Sequence, residues 1–535
     1  MASRTALAVV FSLFLLSVLS VARYDAPNLL VVLVVDQMRA DYADSYGYQW
    51  TAGLRRLLDD GAWFRRASYP YSATVTCAGH ATIVTGSFPA KHGIIQNSWW
   101  DRASDQRVSC TTDHSAEPIS YGGQAREQHS PHTLAIPTLA DVLRLKSSHR
   151  PRVVSLAIKP RSAIILAGQK ADSVLWFDAE GTWATSTAYA DGPVSAVQQY
   201  LDANPFSQDI NAVWTRTLPE NRYLYRDDDQ AEQPRDIWKW NTRFPHPLGD
   251  DDTFAQRWRV SPFSDSYLVE MALAFVDAFE LGRRDSTDYL AISFASLDLI
   301  GHRYGPRSHE VQDVLVRLDA TVGSLLEGLD ERVGSDSYVV ALSSDHGVSP
   351  IPSQIAAEGI DAGSIQIREI LNQLEELLVK RLGSDQNISA FENGDLYFKP
   401  GVYDRIRARP DLLKAARDLI ASAPGVWRVY QDDELQSGLT NDSLAGAARL
   451  SYYRGRSGDM VVIGRPYWIG PNNPAAHGSP HAYDTRVPVI LYGDGIKPGE
   501  YLAPITPADI APTLAFMAGV SFPQSDGRVL VEALE

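Results

Sequence analysis

Six residues of this chain carry the side chains a divalent metal centre needs, and most follow an apolar run. Asp36 comes after the run 28–35, Asp298 and His302 form a D-x-x-x-H pair after 289–295, and Asp345-His346 follows 338–342. His477 stands in a late loop. Three carboxylates and three imidazoles without a thiolate could hold two divalent ions, and that donor set suits zinc best. Thr76 adds a nucleophile. The residues after it, Cys77-Ala78-Gly79-His80-Ala81, open a short helix whose free N–H groups and dipole favour negative charge at the Thr76 hydroxyl. A hydroxyl so placed can become an alkoxide with an anion beside it. Singly, each residue has an ordinary reading: a Thr before a helix is an N-cap, an Asp after a strand is a turn, a lone His is a core or surface residue. Their common position at one edge of one sheet is what argues for chemistry.

The elements that must position them alternate. The run 28–35, NLLVVLVV, is continuous and apolar, as a strand buried on both faces requires. Helix 51–60 is stopped by Gly61, helix 138–146 is amphipathic, and strand 152–158 ends at Lys159-Pro160-Arg161. Helix 266–281, strand 289–295, helix 309–329, strand 338–342, strand 487–492 and helix 508–518 continue the series. The alternation predicts an α/β fold: a doubly wound, mostly parallel central sheet flanked by helices, with its chemistry outside the strands' carboxyl ends. Two stretches break the pattern. About 178–263 is rich in Trp, Tyr, Asp and Pro without period, and is expected to shape a rim and not to join the sheet. About 352–474 is expected as a second inserted cap, with helices 367–381 and 411–422 and a strand at 395–398.

The chain has 535 residues, 44% hydrophobic and 21% charged, enough for one large domain with insertions or for two domains. Its net charge of −16 argues against nucleic acid as a stable partner, because phosphate backbones need clustered cations. A small phosphorylated substrate is not excluded, since a few local cations or metal ions reverse the field inside one pocket. Residues 1–22 read as a signal peptide: Arg4, the apolar run 6–19, then Ser20-Val21-Ala22. The catalytic domain is then 23–535, periplasmic or secreted, with no stable membrane insertion after cleavage. Cys77 and Cys110 are the only cysteines, so neither a disulfide framework nor a cysteine-rich zinc cluster is available. A single bridge between them and two buried thiols both remain open.

In order and context, Asp36, Thr76, Asp298-x-x-x-His302, Asp345-His346-Gly347 and His477-Gly478 resemble the motifs of the alkaline phosphatase superfamily. The resemblance runs from about residue 28 to 517, less firmly through the insertions. It implies two zinc ions per chain, one held by Asp36, Asp345 and His346, the other by Asp298, His302 and His477. Thr76 would bind the first ion. The superfamily's sulfatase branch needs a formylglycine from a C/S-x-P-x-R context, which Thr76-Cys77-Ala78-Gly79 does not offer. The stretch 155–162, SLAIKPRS, is similar to a segment of the bacterial phosphate-irrepressible alkaline phosphatases that use a threonine nucleophile. That likeness implies that Asn97, Lys159 and Arg161 contact phosphoryl oxygens. The expectation is therefore a secreted zinc-dependent phosphomonoesterase that hydrolyses small phosphate monoesters through a phosphothreonine. A phosphodiesterase or nucleotide pyrophosphatase with the same bimetal site is the alternative, and a metal- or phosphate-binding module is the rival from another class. Cys77 and His80 belong to neither trio and are read as packing residues.

Overall fold

The computed structural model describes residues 26–225, 240, 242–438 and 441–535; the signal peptide expected at 1–22 lies outside the described residues. The apolar run becomes the strand Leu29–Val35, buried at every position. Its side chains alternate between two cores. Leu29, Val31, Leu33 and Val35 face a layer that includes the helices Pro262–Ala278 and His309–Arg332, while Leu30, Val32 and Val34 face the layer of Thr76–Thr85, Pro160–Ala167 and Ile510–Met517. A strand that packs helices on both sides has no polar face, which is why the run is unbroken.

Leu29–Val35 lies inside a 10-stranded sheet. Tyr338–Ser343, Leu29–Val35, Asp288–Phe294, Val153–Ala157 and Ser173–Phe177 run parallel in that spatial order. Antiparallel pairings appear toward both edges: Val489–Gly493 against Tyr338–Ser343 on one side, Trp183–Ser186 against Ser173–Phe177 on the other. The α/β fold with a parallel centre is as the sequence predicts.

One expectation is corrected here. Trp183–Ser186, inside the stretch expected to stay out of the sheet, pairs with both Ser173–Phe177 and Pro118–Ser120. Its aromatic composition hid the strand: Trp183 packs edge-on against Phe177 and stacks on Tyr267, so ring packing and not period decides its place. Within 352–474, the strands Ile388–Glu392, Asp395–Phe398, Met460–Gly464 and Val426–Gln431 form a separate antiparallel sheet. The helices Ile367–Leu382 and Pro410–Ala421 cover it with a core of their own, built around Leu374, Leu378, Ile406, Leu412 and Ala416.

Candidate metal centre and nucleophile

The register of four adjacent strands sets the site. Val34 pairs with Ser343 and with Ser293, and Ser293 pairs with Ala157. The four chains therefore leave the sheet at one level. Asp36 follows within two residues; Asp345 follows Ser343 by two; Lys159 follows Ala157 by two; and Asp298 sits in the first turn of the helix Ser296–Tyr304. His302 is one turn further along that helix, where i and i+4 side chains meet, and its Nε2 is 3.2 Å from Asp298 Oδ1.

The candidate ligand atoms converge. Those of Asp298, His302 and His477 lie within 4.8 Å of one another, and so do those of Asp36, Asp298 and His346. His346 Nε2 is 3.5 Å from Asp36 Oδ1 and 3.6 Å from Asp345 Oδ2. These three atoms are buried and have no hydrogen-bond partner. Such groups are ordinarily paired, because stripping water from them is costly. Two carboxylate oxygens within 3.6 Å of an imidazole nitrogen are a donor set for a cation, and Asp298 joins Asp36 and His346 in it more closely than the sequence grouping with Asp345 implies.

The imidazoles are already oriented for this. His346 Nδ1 bonds to Gly347 O, His302 Nδ1 to Ala475 O and His477 Nδ1 to Thr74 O, each at 2.9 Å. A carbonyl accepts, so each Nδ1 carries the proton, and in the neutral ring Nε2 presents its lone pair. Burial holds His346 below the usual imidazole range and His477 well below it. Both rings are thus neutral near pH 7, as metal ligands must be. They also stack, with centroids 3.5 Å apart. His302 is held up by Asp298 against the opposing effect of burial. The donor set fits a pair of divalent cations with N/O ligands.

Lys159 is 1% exposed and lies among the carboxylates. Its Nζ donates to Asp36 Oδ2 at 2.6 Å and to Asp298 Oδ2 at 2.5 Å. Burial pushes Asp36 well above the usual carboxylate range, reinforced by the charges of Asp298 and Asp345 and opposed by Lys159. Burial acts the same way on Asp298, but Lys159, His302 and His477 together outweigh it and leave that group well below the range.

Thr76 opens the helix Thr76–Thr85 and is buried. It does not cap it: Val75 occupies the N-cap without a side-chain bond, and Cys77 N–H is satisfied by Asn97 Oδ1 at 2.9 Å. The ordinary N-cap reading of Thr76 therefore fails, and its hydroxyl is left without a capping duty. Gly79 brings this helix onto the Asp345 strand end, since a Cβ there would lie 2.2 Å from Asp345 O. Arg161 is the second residue of the helix Pro160–Ala167, whose N-cap is Lys159. Its Nε is buried without a partner, and its charge joins His129 and Arg259 in holding Glu127 low. No hydrogen bond among the described residues joins Arg161 to either trio.

Sequence reasoning missed two groups. Gln37 adopts φ +71, rare for a residue with a side chain, and is buried. Its N–H donates to Asp345 Oδ1 at 3.1 Å and its Nε2 to Asp298 Oδ1 at 2.6 Å, so one residue holds a carboxylate of each trio. Gly301 makes room for it, because a Cβ there would fall 1.9 Å from Gln37 Oε1. Adjacency to Asp36 was the only signal. His80, read as packing, bonds through Nδ1 to Thr76 O at 2.8 Å and through Nε2 to Ser293 Oγ at 2.9 Å, with Nδ1 3.1 Å from Asp345 Oδ2. Cys77, likewise read as packing, is bridged to Cys110.

Residues 30–483 match the family model described as type I phosphodiesterase / nucleotide pyrophosphatase. The chain is 31% identical over 517 residues to alkaline phosphatase PafA of Elizabethkingia meningoseptica, covering 95% of this chain and 94% of that one. It is 30% identical over 543 residues to a Myroides odoratus protein named calcium-transporting ATPase, covering 98% and 97%. A crystal structure of a PafA mutant superposes with TM-score 0.89 and 30% identity over 96% of this chain and 99% of that one. The four positions substituted in that mutant are a threonine, an asparagine, a lysine and an arginine, at the sequence spacing of Thr76, Asn97, Lys159 and Arg161 here.

Proposed function

The chain belongs to the type I phosphodiesterase / nucleotide pyrophosphatase family of the alkaline phosphatase superfamily, and within it we propose a zinc-dependent alkaline phosphatase acting on small phosphate monoesters. It is a phosphoric monoester hydrolase. The observation that carries the reading is the placing of Asp36 Oδ1 and Asp345 Oδ2 at 3.5 and 3.6 Å from His346 Nε2, buried at the strand ends, with His80 Nδ1 linking Asp345 Oδ2 to the backbone of Thr76. Two zinc ions, one in each trio, would supply Lewis acidity to the phosphoryl oxygens and lower the pKa of oxygen nucleophiles.

The chain's own residues then do the following. Thr76 Oγ attacks phosphorus; the Oγ–P bond forms as the ester P–O bond breaks, leaving a phosphothreonine and the released alcohol. Water next attacks that phosphorus from the vacated side, breaking Oγ–P and giving inorganic phosphate. The start of the Thr76–Thr85 helix, where Cys77 N–H holds Asn97 Oδ1, leaves the Asn97 Nδ2 to donate to an anionic oxygen. Arg161 supplies a guanidinium, and Lys159 adds charge from its place between Asp36 and Asp298.

A monoester carries one more anionic oxygen than a diester, and the Lys159–Arg161 pair favours it. Among the described residues no helix is long and apolar enough to cross a membrane. A leader at 1–22 would send the enzyme to the periplasm or outside the cell. The test is a comparison, on zinc-loaded protein, of one aryl phosphate with its methyl diester. Faster monoester turnover is expected; a preference for the diester sinks the assignment in favour of the phosphodiesterase reading.

A further inference from the structure

We propose that the Cys77–Cys110 disulfide positions Asn97, aiming its amide N–H at the phosphoryl group bound beside Thr76; this rests on the phosphoryl-binding role given to Asn97 above. Asn97 is held by two hydrogen bonds, and both donors are backbone N–H groups of the half-cystines. Cys77 N–H donates to Asn97 Oδ1 at 2.9 Å, and Cys110 N–H donates to Asn97 O at 3.0 Å. The bridge joins those two donors, with Cα atoms 6.5 Å apart and both residues fully buried. Main-chain carbonyl, Cys110, disulfide, Cys77 and side-chain oxygen form one closed loop around a single residue.

The loop decides which end of the amide is available. With Oδ1 engaged by an N–H, only Nδ2 remains to face a ligand, and Nδ2 is a donor suited to an anionic oxygen. A flipped amide would set Nδ2 against the Cys77 N–H, donor to donor. The arrangement also joins two otherwise separate pieces of chain. Asn97 and Cys110 extend the hairpin of Ser98–Asp101 and Gln106–Ser109 by one step, since Ser98 pairs with Ser109. Cys77 belongs to the nucleophile's helix. Thr133 Oγ1 fixes the far side by donating to Cys110 O. Without the bridge, the hairpin end and the helix start can separate, and the Asn97 Nδ2 direction is no longer set by both.

The test is a double-mutant cycle between the bridge, removed as Cys77→Ala with Cys110→Ala, and Asn97→Ala. It is read as kcat/KM on an aryl phosphate with zinc saturating, alongside thermal melts. Asn97→Ala is expected to cost about 10²-fold, the scale of one lost transition-state donor. The cysteine pair should cost roughly tenfold with Asn97 present and nothing more once Asn97 is gone. An equal loss in both backgrounds, or no loss at all, overturns the clamp while leaving the Asn97 role standing. A silent Asn97→Ala instead removes that role, and the clamp with it. If the alanine pair does not fold, the wild-type chain produced without oxidation, with two free thiols verified by titration, is compared with the bridged form in both backgrounds and judged by the same outcomes.

Discussion

Lys159 Nζ lies 2.6 Å from Asp36 Oδ2, inside the carboxylate cluster. The resemblance implied a lysine on phosphoryl oxygens, whereas this ammonium is held by Asp36 and Asp298. Removing one partner from a buried charge cluster strands the others, at about 3–5 kcal/mol. Lys159→Met should therefore lower stability by about that amount in chelator-treated protein. Zinc should recover much of it, because a divalent cation bound by Asp36 and Asp298 would neutralise the same carboxylates. Denaturant melts with and without metal check this, and an equal loss in both conditions counts against a shared electrostatic role.

Thr76→Ala should abolish monoester turnover, by about 10³-fold or more, while metal content measured by elemental analysis stays unchanged. The hydroxyl caps nothing, so the fold has little to lose. Normal turnover by this variant rules Thr76 out as nucleophile.

Gln37 fixes Asp298 and Asp345 at once. Gln37→Ala removes the Nε2 bond to Asp298 but keeps the main-chain N–H that serves Asp345, and supporting partners of this kind typically contribute 10–100-fold to metal affinity. Zinc affinity measured by chelator competition should fall in the binding step that involves Asp298 and change little in the other. No loss in either step would mean that the Nε2 bond does not support Asp298 as a ligand.

Asp395, outside the metal centre, is pushed up to about 6 by burial, against the bonds from Gly458 N–H and Gln96 Nε2. An unfolded aspartate titrates near 3.8. Between these values the folded chain holds a proton that the unfolded chain has lost, so stability falls as pH rises from about 4 to about 6 and levels off above. Asp395→Asn should flatten that descent relative to wild type by about 1–3 kcal/mol, read from denaturant melts at several pH values. An unchanged slope sinks the assignment.

What the sequence determined by itself follows from local pattern. The unbroken apolar run before Asp36 fixes a strand buried on both faces, and the alternation of strands and helices puts Asp36, Asp298, Asp345 and Lys159 at carboxyl ends, because side-chain period and chain direction are properties of each segment alone. The edge on which the candidate site stands was legible for that reason. Tertiary structure decided what depends on partners distant in the chain. Gln37 reads as an ordinary residue until its left-handed backbone and two remote carboxylates are seen together. Trp183 reads as rim until Phe177 and Tyr267 draw its segment into the sheet. Cys77 and Cys110, open in the sequence between two thiols and a bridge, are joined because the hairpin after Asn97 returns Cys110 to the start of the nucleophile's helix. Composition and period do not encode which distant groups meet; register and packing across the sheet do.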